Sequence, residues 1–266
     1  MYHRYTVNNK YLVIRQIFTL VSVVAAFAMN VVANVNPPNG LSIGEISNKF
    51  FGDVLITPAN YAFAIWGIIY LGLISFGIYQ VLPSSRNNLL LRRIGYKIAI
   101  ASVAQIVWVI CFLYRQYALS FLAMLGILLP LIAAYLYLPS TRITKWQRWL
   151  IHTPISVYLS WIVLATILNG AITLESWQWN GWGVSEEIWT IIMLSVAALI
   201  THLVAIPRLD FAYGMVFIWG VIAIAVRNSD RLLLSGTAIG LSLALIILLL
   251  SFSFYAPIHR DRENNY

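Results

Sequence analysis

Cysteine is almost missing from this sequence, and side-chain carboxylates are few. The single cysteine, Cys111, sits inside an apolar run, so no intrachain disulfide and no cysteine-based metal cluster can form. A small buried hydrophobe is what it amounts to. Charged residues of both signs make up only 10% of the chain, and nine Asp and Glu stand against 17 Lys and Arg. Soluble domains carry about a quarter charged residues. The catalytic signatures are missing too: there is no Walker A loop, no strand-preceded G-x-G-x-x-G, no H-E-x-x-H and no other metal-ligand spacing. No catalytic residue and no metal ligand is therefore proposed from the sequence. Tandem repeats of 20–50 residues, low-complexity tracts and heptad series are likewise absent.

What fills the space is hydrophobic side chain, 61% of 266 residues, with a mean hydropathy of +0.80. A soluble fold has too little polar surface to cover such an excess. Lipid removes the difficulty. A crossing helix needs about 20 apolar residues, and eight runs approach this: 11–33, 60–82, 94–114, 118–138, 149–172, 187–206, 211–226 and 233–255. The seventh is short, and a break at 206–211 precedes it. The expectation is an all-α, polytopic membrane helix bundle of about eight helices, partnered by the lipid bilayer.

The net charge of +8 would suggest nucleic acid for a soluble protein. Here the basic residues lie between apolar runs, so no nucleic-acid partner is expected. With a cytoplasmic amino terminus, the inner side receives Arg4, Lys10, Arg15, Arg86, Arg92, Arg93, Lys97, Arg142, Lys145, Arg148, Arg208, Arg260 and Arg262. The outer side keeps Lys49, Arg115, Arg227 and Arg231. That bias follows the positive-inside rule. It puts both termini in the cytoplasm and requires an even number of spans. Arg15 is close enough to a helix end to snorkel. The first apolar stretch is too long for a signal-peptide core and reads as a retained helix. A bacterial cell (inner) membrane suits the short loops.

Two outer loops remain. Residues 34–59 are rich in Pro, Gly and Asn and include Ile46, Phe50 and Phe51, which suits a lid over the outer face. The loop 173–186 carries Trp177, Trp179 and Trp182, expected as interfacial anchors. His202 is the best ionisable candidate within a span, near its end, and suits a structural hydrogen bond.

Aromatic and amide side chains recur at helical spacing. In the second run Pro58, Tyr61, Phe63, Trp66 and Tyr70 follow one another, and Trp66 and Tyr70 are four apart. Gln105 and Trp108 are three apart in the third. Tyr158, Trp161, Ala165 and Asn169 form one stripe in the fifth. Buried amides in lipid need partners, so Gln105 and Asn169 should face the bundle interior. Such stripes could line a cavity for a large planar apolar ligand. They also suit plain packing in a tryptophan-rich bundle.

These segments resemble the TspO/MBR family, the translocator or tryptophan-rich sensory proteins. Pro58, Ile65, Trp66, Gly67 and Tyr70 match that family's second helix, and Gln105 and Trp108 stand where its third helix carries Asn and Trp. The fifth-helix match, YLSWIVLATILN over 158–169, is the most specific. The Trp-Pro-Pro step of the third helix is not present, Trp108 being followed by Val109 and Ile110. The likeness spans residues 11–172. It implies a five-helix unit, 1–172, followed by a three-helix extension, 173–266, as in an extended branch of the family.

The resemblance implies a receptor or carrier for porphyrins and related tetrapyrroles, or sterol-like ligands, with the pocket inside the first five helices under the 34–59 loop. The implied ligand residues are Trp66, Tyr70, Gln105, Trp108, Trp161, Ala165 and Asn169. Asn169 and Gln105 would donate hydrogen bonds to the ligand, and Ala165 would leave room for it. No cofactor is required, although a porphyrin or haem-type ligand would fit. A homodimer is also implied, and Gly236 and Gly240 offer a helix-contact surface for it or for packing within the chain. A secondary transporter of a small metabolite is the alternative, for which the break near 206–211 is the one hint. Enzymatic porphyrin breakdown is not expected, since no base or nucleophile pair argues for it.

Overall fold

A computed structural model describes residues 9–139 and 144–263, and side chains over 10–139 and 144–253. Of the basic residues counted above, Arg4 and Arg142 lie outside the described residues, as do the side chains of Arg260 and Arg262. Every regular element among the described residues is helical. In chain order these are α1 (Asn9–Val35), α2 (Ile43–Phe50), a 3₁₀ turn (Asn60–Ala64) leading into α3 (Ile65–Val81), α4 (Leu89–Leu113) and α5 (Tyr117–Leu136). The single turn α6 (Lys145–Gln147) then passes through a π-helical turn (Arg148–His152) into α7 (Thr153–Ser176), followed by α8 (Glu186–Arg208), α9 (Phe211–Arg227) and α10 (Leu232–Glu263).

Among the described residues, seven helical stretches are long and apolar enough to cross a membrane. The eighth, α9, has 17 residues, about 25 Å of helix at 1.5 Å per residue and the lower limit for a crossing. The break anticipated at 206–211 is a tight turn. Leu209 takes a left-handed conformation and Asp210 caps α9 by accepting from the Tyr213 N–H at 3.1 Å. An ordinary helical hairpin therefore replaces the one hint of a transporter-like broken helix.

Several helices outrun their apolar runs. α4 starts at Leu89 rather than 94, because the Asn88 side chain accepts from the Leu90 and Leu91 N–H groups. That cap satisfies two of the orphan donors of the first turn, so the helix holds through Arg92, Arg93 and Lys97. At the start of α6, Thr144 and Gln147 form a reciprocal capping box.

Helix α1 shows the solvent for which the chain is built. Its buried side includes Arg15, Gln16, Thr19 and Ser22, while Ile14, Ile17, Phe18 and Val21 are exposed. This is the reverse of a water-soluble amphipathic helix. The same outward apolar dress continues on α3 (Ile68, Leu71, Ile78) and α5 (Leu119, Leu122, Leu129). The chain is an integral membrane protein.

The helices form two compact units, 1–43 with 66–158, and 44–65 with 159–266. These boundaries do not follow the 1–172 and 173–266 division implied by the resemblance. The physical reason lies in the second unit. The Asn228 amide donates to the Leu55 carbonyl at 2.9 Å, Arg227 donates to the Asn48 side chain at 3.0 Å, and the Ala59 N–H donates to the Ala223 carbonyl at 3.0 Å. The loop from Gly44 onward is thus tied to α9, as is α7, where Ser160 donates to the Tyr213 carbonyl at 2.8 Å. The first part of the loop belongs instead to the first unit, where the Asn39 amide donates to the Leu113 carbonyl at 2.8 Å.

Within the first unit α1, α4 and α5 pack side by side, and α7 closes on α3 where Gly72 meets Pro154. A methyl at Gly72 would stand 3.1 Å from the Pro154 Cβ, so only glycine permits this approach without displacement. Gly236 and Gly240 of α10 behave differently: both are exposed, and a methyl at either would meet nothing within 4 Å. Close packing within the chain does not account for that pair.

Replacing Asn228 with alanine leaves the buried Leu55 carbonyl without its donor. A loss of about 1–3 kcal/mol is expected, with faster proteolytic nicking in the 44–59 loop. Thermal unfolding and limited proteolysis of the full chain in detergent would measure both.

Candidate functional site

The helical spacing of the aromatic residues produces one cluster in the first unit. On α3, Trp66 and Tyr70 share a face, and their rings stack at 5.6 Å and 27°. On α4, Gln105, Trp108 and Phe112 lie at i, i+3 and i+7 on another. Trp108 meets Trp66 at 6.3 Å and 26°, while Tyr158 of α7 approaches Trp66 edge-on at 6.2 Å and 64°. Phe27 of α1 packs on Tyr70 at 5.2 Å, and Phe112 extends the cluster from Trp108 at 5.9 Å. Offset and edge-to-face contacts of this kind add about 0.5–1.5 kcal/mol each beyond area burial.

Beneath the rings runs a line of hydrogen bonds. The Tyr158 hydroxyl donates to Gln105 Oε1 at 2.5 Å, and Gln105 Nε2 donates to the Tyr70 hydroxyl oxygen. The Tyr70 hydroxyl in turn donates to the Ala26 carbonyl of α1 at 3.3 Å. Four helices are joined by three bonds, and each hydroxyl proton has an acceptor. Tyr158, Gln105 and Tyr70 are all buried, whereas Trp66 is half-buried. The polar atoms form the floor of the cluster and Trp66 its accessible ring.

Of the seven residues implied by the resemblance, the structure brings four together here: Trp66, Tyr70, Gln105 and Trp108. Gln105 spends its oxygen on Tyr158 and one amide proton on Tyr70, leaving one N–H for anything else. The other three belong to the second unit. There Trp161 meets Phe63 edge-on at 6.0 Å and 90°, and it is buried. The Asn169 amide donates back to the Ala165 carbonyl at 2.9 Å, and the Thr173 hydroxyl donates to the Asn169 carbonyl at 2.8 Å. Asn169 therefore already has a local hydrogen-bonding role.

Three cluster members were not among the seven. Tyr158 heads the stripe in which Trp161 and Asn169 lie, so its spacing could have named it. Phe27 sits on α1, where no aromatic stripe marks it. Phe112 lies four residues after Trp108 and could have been found by extending that face by one turn.

Two tryptophans of the loop 173–186 also assemble, with Trp189 of α8, in the second unit. Trp179, Trp182 and Trp189 pack with centroids 5.2–6.1 Å apart, and the Trp189 indole donates to the Gly181 carbonyl at 2.9 Å. Trp182 holds a left-handed backbone with φ of 54°, rare for a bulky side chain. Trp177 remains exposed, as an interfacial anchor would. His202 is half-buried on α8. Among the described residues no group of His, Cys, Asp and Glu could hold a metal ion.

The family model described as TSPO-like protein matches residues 16–251. That range covers most of the chain, including α8, α9 and much of α10. No curated protein and no solved structure matches the chain at the threshold of significance.

Substituting Tyr158 by phenylalanine removes the donor to Gln105 Oε1 and is expected to cost about 1–3 kcal/mol. Gln105→Leu in the Tyr158→Phe background should recover part of that loss, since an apolar pair leaves fewer polar atoms stranded. A double-mutant cycle on thermal unfolding reads this coupling; simple additivity would show that the two residues act separately.

Proposed function

Because the chain belongs to the TSPO-like protein family, we propose that it is a membrane receptor or carrier whose ligand is a porphyrin or related tetrapyrrole, held at the aromatic cluster of the first unit. The observation that supports this reading is the near-parallel arrangement of three flat rings, Tyr70, Trp66 and Trp108, at 26–27° over a hydrogen-bonded floor. A planar, largely apolar ligand gains most from such a wall, because its own π face offers the matching geometry. The rings already touch one another, so the ligand would stack on the accessible side of half-buried Trp66 rather than slide between the indoles.

Gln105 enters the proposal through its remaining N–H, which would donate to a ring nitrogen or carboxylate of the ligand. Trp161, Ala165 and Asn169 enter the proposal from their match to the fifth-helix motif. The segment 34–43, tied to the end of α4 through Asn39, would shield the outer end of the cluster. Both termini would be cytoplasmic, in a bacterial inner membrane, with Gly236 and Gly240 on α10 as the surface of a homodimer. The protein would act by binding and release rather than by chemistry.

Titrating the purified full chain in detergent with protoporphyrin should quench tryptophan fluorescence saturably. Trp66→Leu and Trp108→Leu should each weaken binding about tenfold, the loss of one stacking wall. Trp161→Phe and Asn169→Ala should weaken it as well if the fifth-helix motif contributes. Unchanged binding in Trp66→Leu and Trp108→Leu would overturn the site, and absence of saturable quenching in the wild type would overturn the ligand class.

A further inference from the structure

The first unit contains a charge that nothing balances among the described residues. Arg15 of α1 was expected to snorkel to water, yet it is 2% exposed, and its Nε, Nη1 and Nη2 have no hydrogen-bond partner among the described residues. The stretches of chain that build this unit, 1–43 and 66–158, contain eleven Lys and Arg and not one Asp or Glu. All nine acidic residues lie in the other unit. A bare guanidinium in a low-dielectric interior is among the costliest groups a fold can hold.

The neighbourhood is polar, and it is assembled by packing. The Arg15 side chain lies over Gly95 of α4, where an added methyl would stand 3.2 Å from its Cδ. Gly95 is what leaves the arginine room. The Gln80 side-chain oxygen reaches the same spot, 3.4 Å from that position. It is fully buried and has no donor among the described residues, while the Gln80 amide nitrogen donates to the Gln16 carbonyl at 3.2 Å. Thr19 holds the two helices in register by donating to the Gly95 carbonyl at 3.1 Å. On α4, Arg92 lies three residues before Gly95 and so shares the helix face on which Gly95 meets Arg15, with Tyr96 next in the chain after Gly95; the charge of Arg92 adds to that of Arg15. Gln80 could take one of the five guanidinium N–H groups, and the others would still need an acceptor.

We propose that Arg15 and Arg92, with Tyr96 beside them, form a binding site for a phosphate group at the cytoplasmic end of the first unit. A phosphate supplies three or more acceptor oxygens and the missing negative charge, and it matches the guanidinium fork in geometry. Phe18, three residues from Arg15, and Tyr96, next to Gly95, are both exposed and pack at 6.4 Å, so a phosphate would enter past this pair. Below it the lipid-facing surfaces of α1 and α4 continue as Val21, Ile100 and Val103, apolar rows along which an acyl chain could lie. Basic pockets between helices on the cytoplasmic side recognise anionic headgroups by this chemistry. The site is separate from the aromatic cluster: Arg15 precedes Ala26 by eleven residues, about 16 Å along the helix.

The test is thermal unfolding of the full chain in a neutral detergent, with phosphatidylglycerol, phosphatidylcholine or sodium phosphate added. Phosphatidylglycerol should raise the wild-type Tm by about 5 °C, more than phosphatidylcholine does. The rise should be lost in Arg15→Gln and at least halved in Arg92→Gln. An equal rise with sodium phosphate alone assigns the site to free phosphate rather than to lipid. No rise with either phosphate source, or a full rise that survives Arg92→Gln, overturns the proposal. Arg92 is half-buried rather than enclosed, so its variant decides the matter even if Arg15→Gln fails to fold.

Discussion

Three hydrogen bonds, from Tyr158 to Gln105, from Gln105 to Tyr70 and from Tyr70 to Ala26, hold the four helices of the aromatic cluster in one arrangement. Their importance follows from the solvent. In lipid, apolar surfaces gain little by meeting one another, because acyl chains are as apolar as leucine. Packing alone is then permissive about which helix faces which. A buried hydroxyl or amide is not, since leaving it unpaired costs free energy that no water molecule can refund. The line is closed at both ends by tyrosine and by a backbone carbonyl, so a rotation of α3, α4 or α7 would strand a polar atom. The stacked indoles depend on this register. Trp66 meets Tyr70 and Trp108 nearly parallel because the residues one or two turns along are fixed by polar contacts.

Much of this was legible in the sequence, for reasons that differ by level. Membrane class and span positions follow from composition and run length, because the bilayer imposes a thickness and excludes charge. Helix ends were less legible: α4 extends through Arg92, Arg93 and Lys97 because a single Asn88 cap allows it, and hydropathy does not register a cap. At the cluster, three- and four-residue spacing placed Trp66 with Tyr70 and Gln105 with Trp108, since helix geometry is local. Spacing cannot say which faces meet. It therefore did not show that Phe27 would join from α1, or that the loop after Ile43 would bind to α9 through Asn228 and Arg227.

The two units carry opposite electrostatic characters. Every carboxylate lies in the second unit, where Asp210 caps α9 and Glu186 and Glu187 open α8, positions at which negative charge favours a helix amino terminus. The first unit has cations alone. In a soluble protein such segregation would be relieved by water and salt. Arg93 and Lys97 escape the full cost of burial by lying exposed or half-buried over the Tyr137 ring.

Arg15 has no such outlet, and comparison with the tyrosine line makes its position informative. Both are buried polar groups in one helix bundle, under the same penalty for an unpaired donor. At Tyr158, Gln105 and Tyr70 the chain provides an acceptor for each hydroxyl proton. At Arg15 it provides space, through Gly95, and an unpaired acceptor, through Gln80, but no charge. A sequence that resolves one buried polar set from within itself and leaves the other open, with a second arginine on the helix face that meets it, is arranged to take the missing acceptors from outside. The physical difference between the two sites is the difference between a structural lock and a binding site.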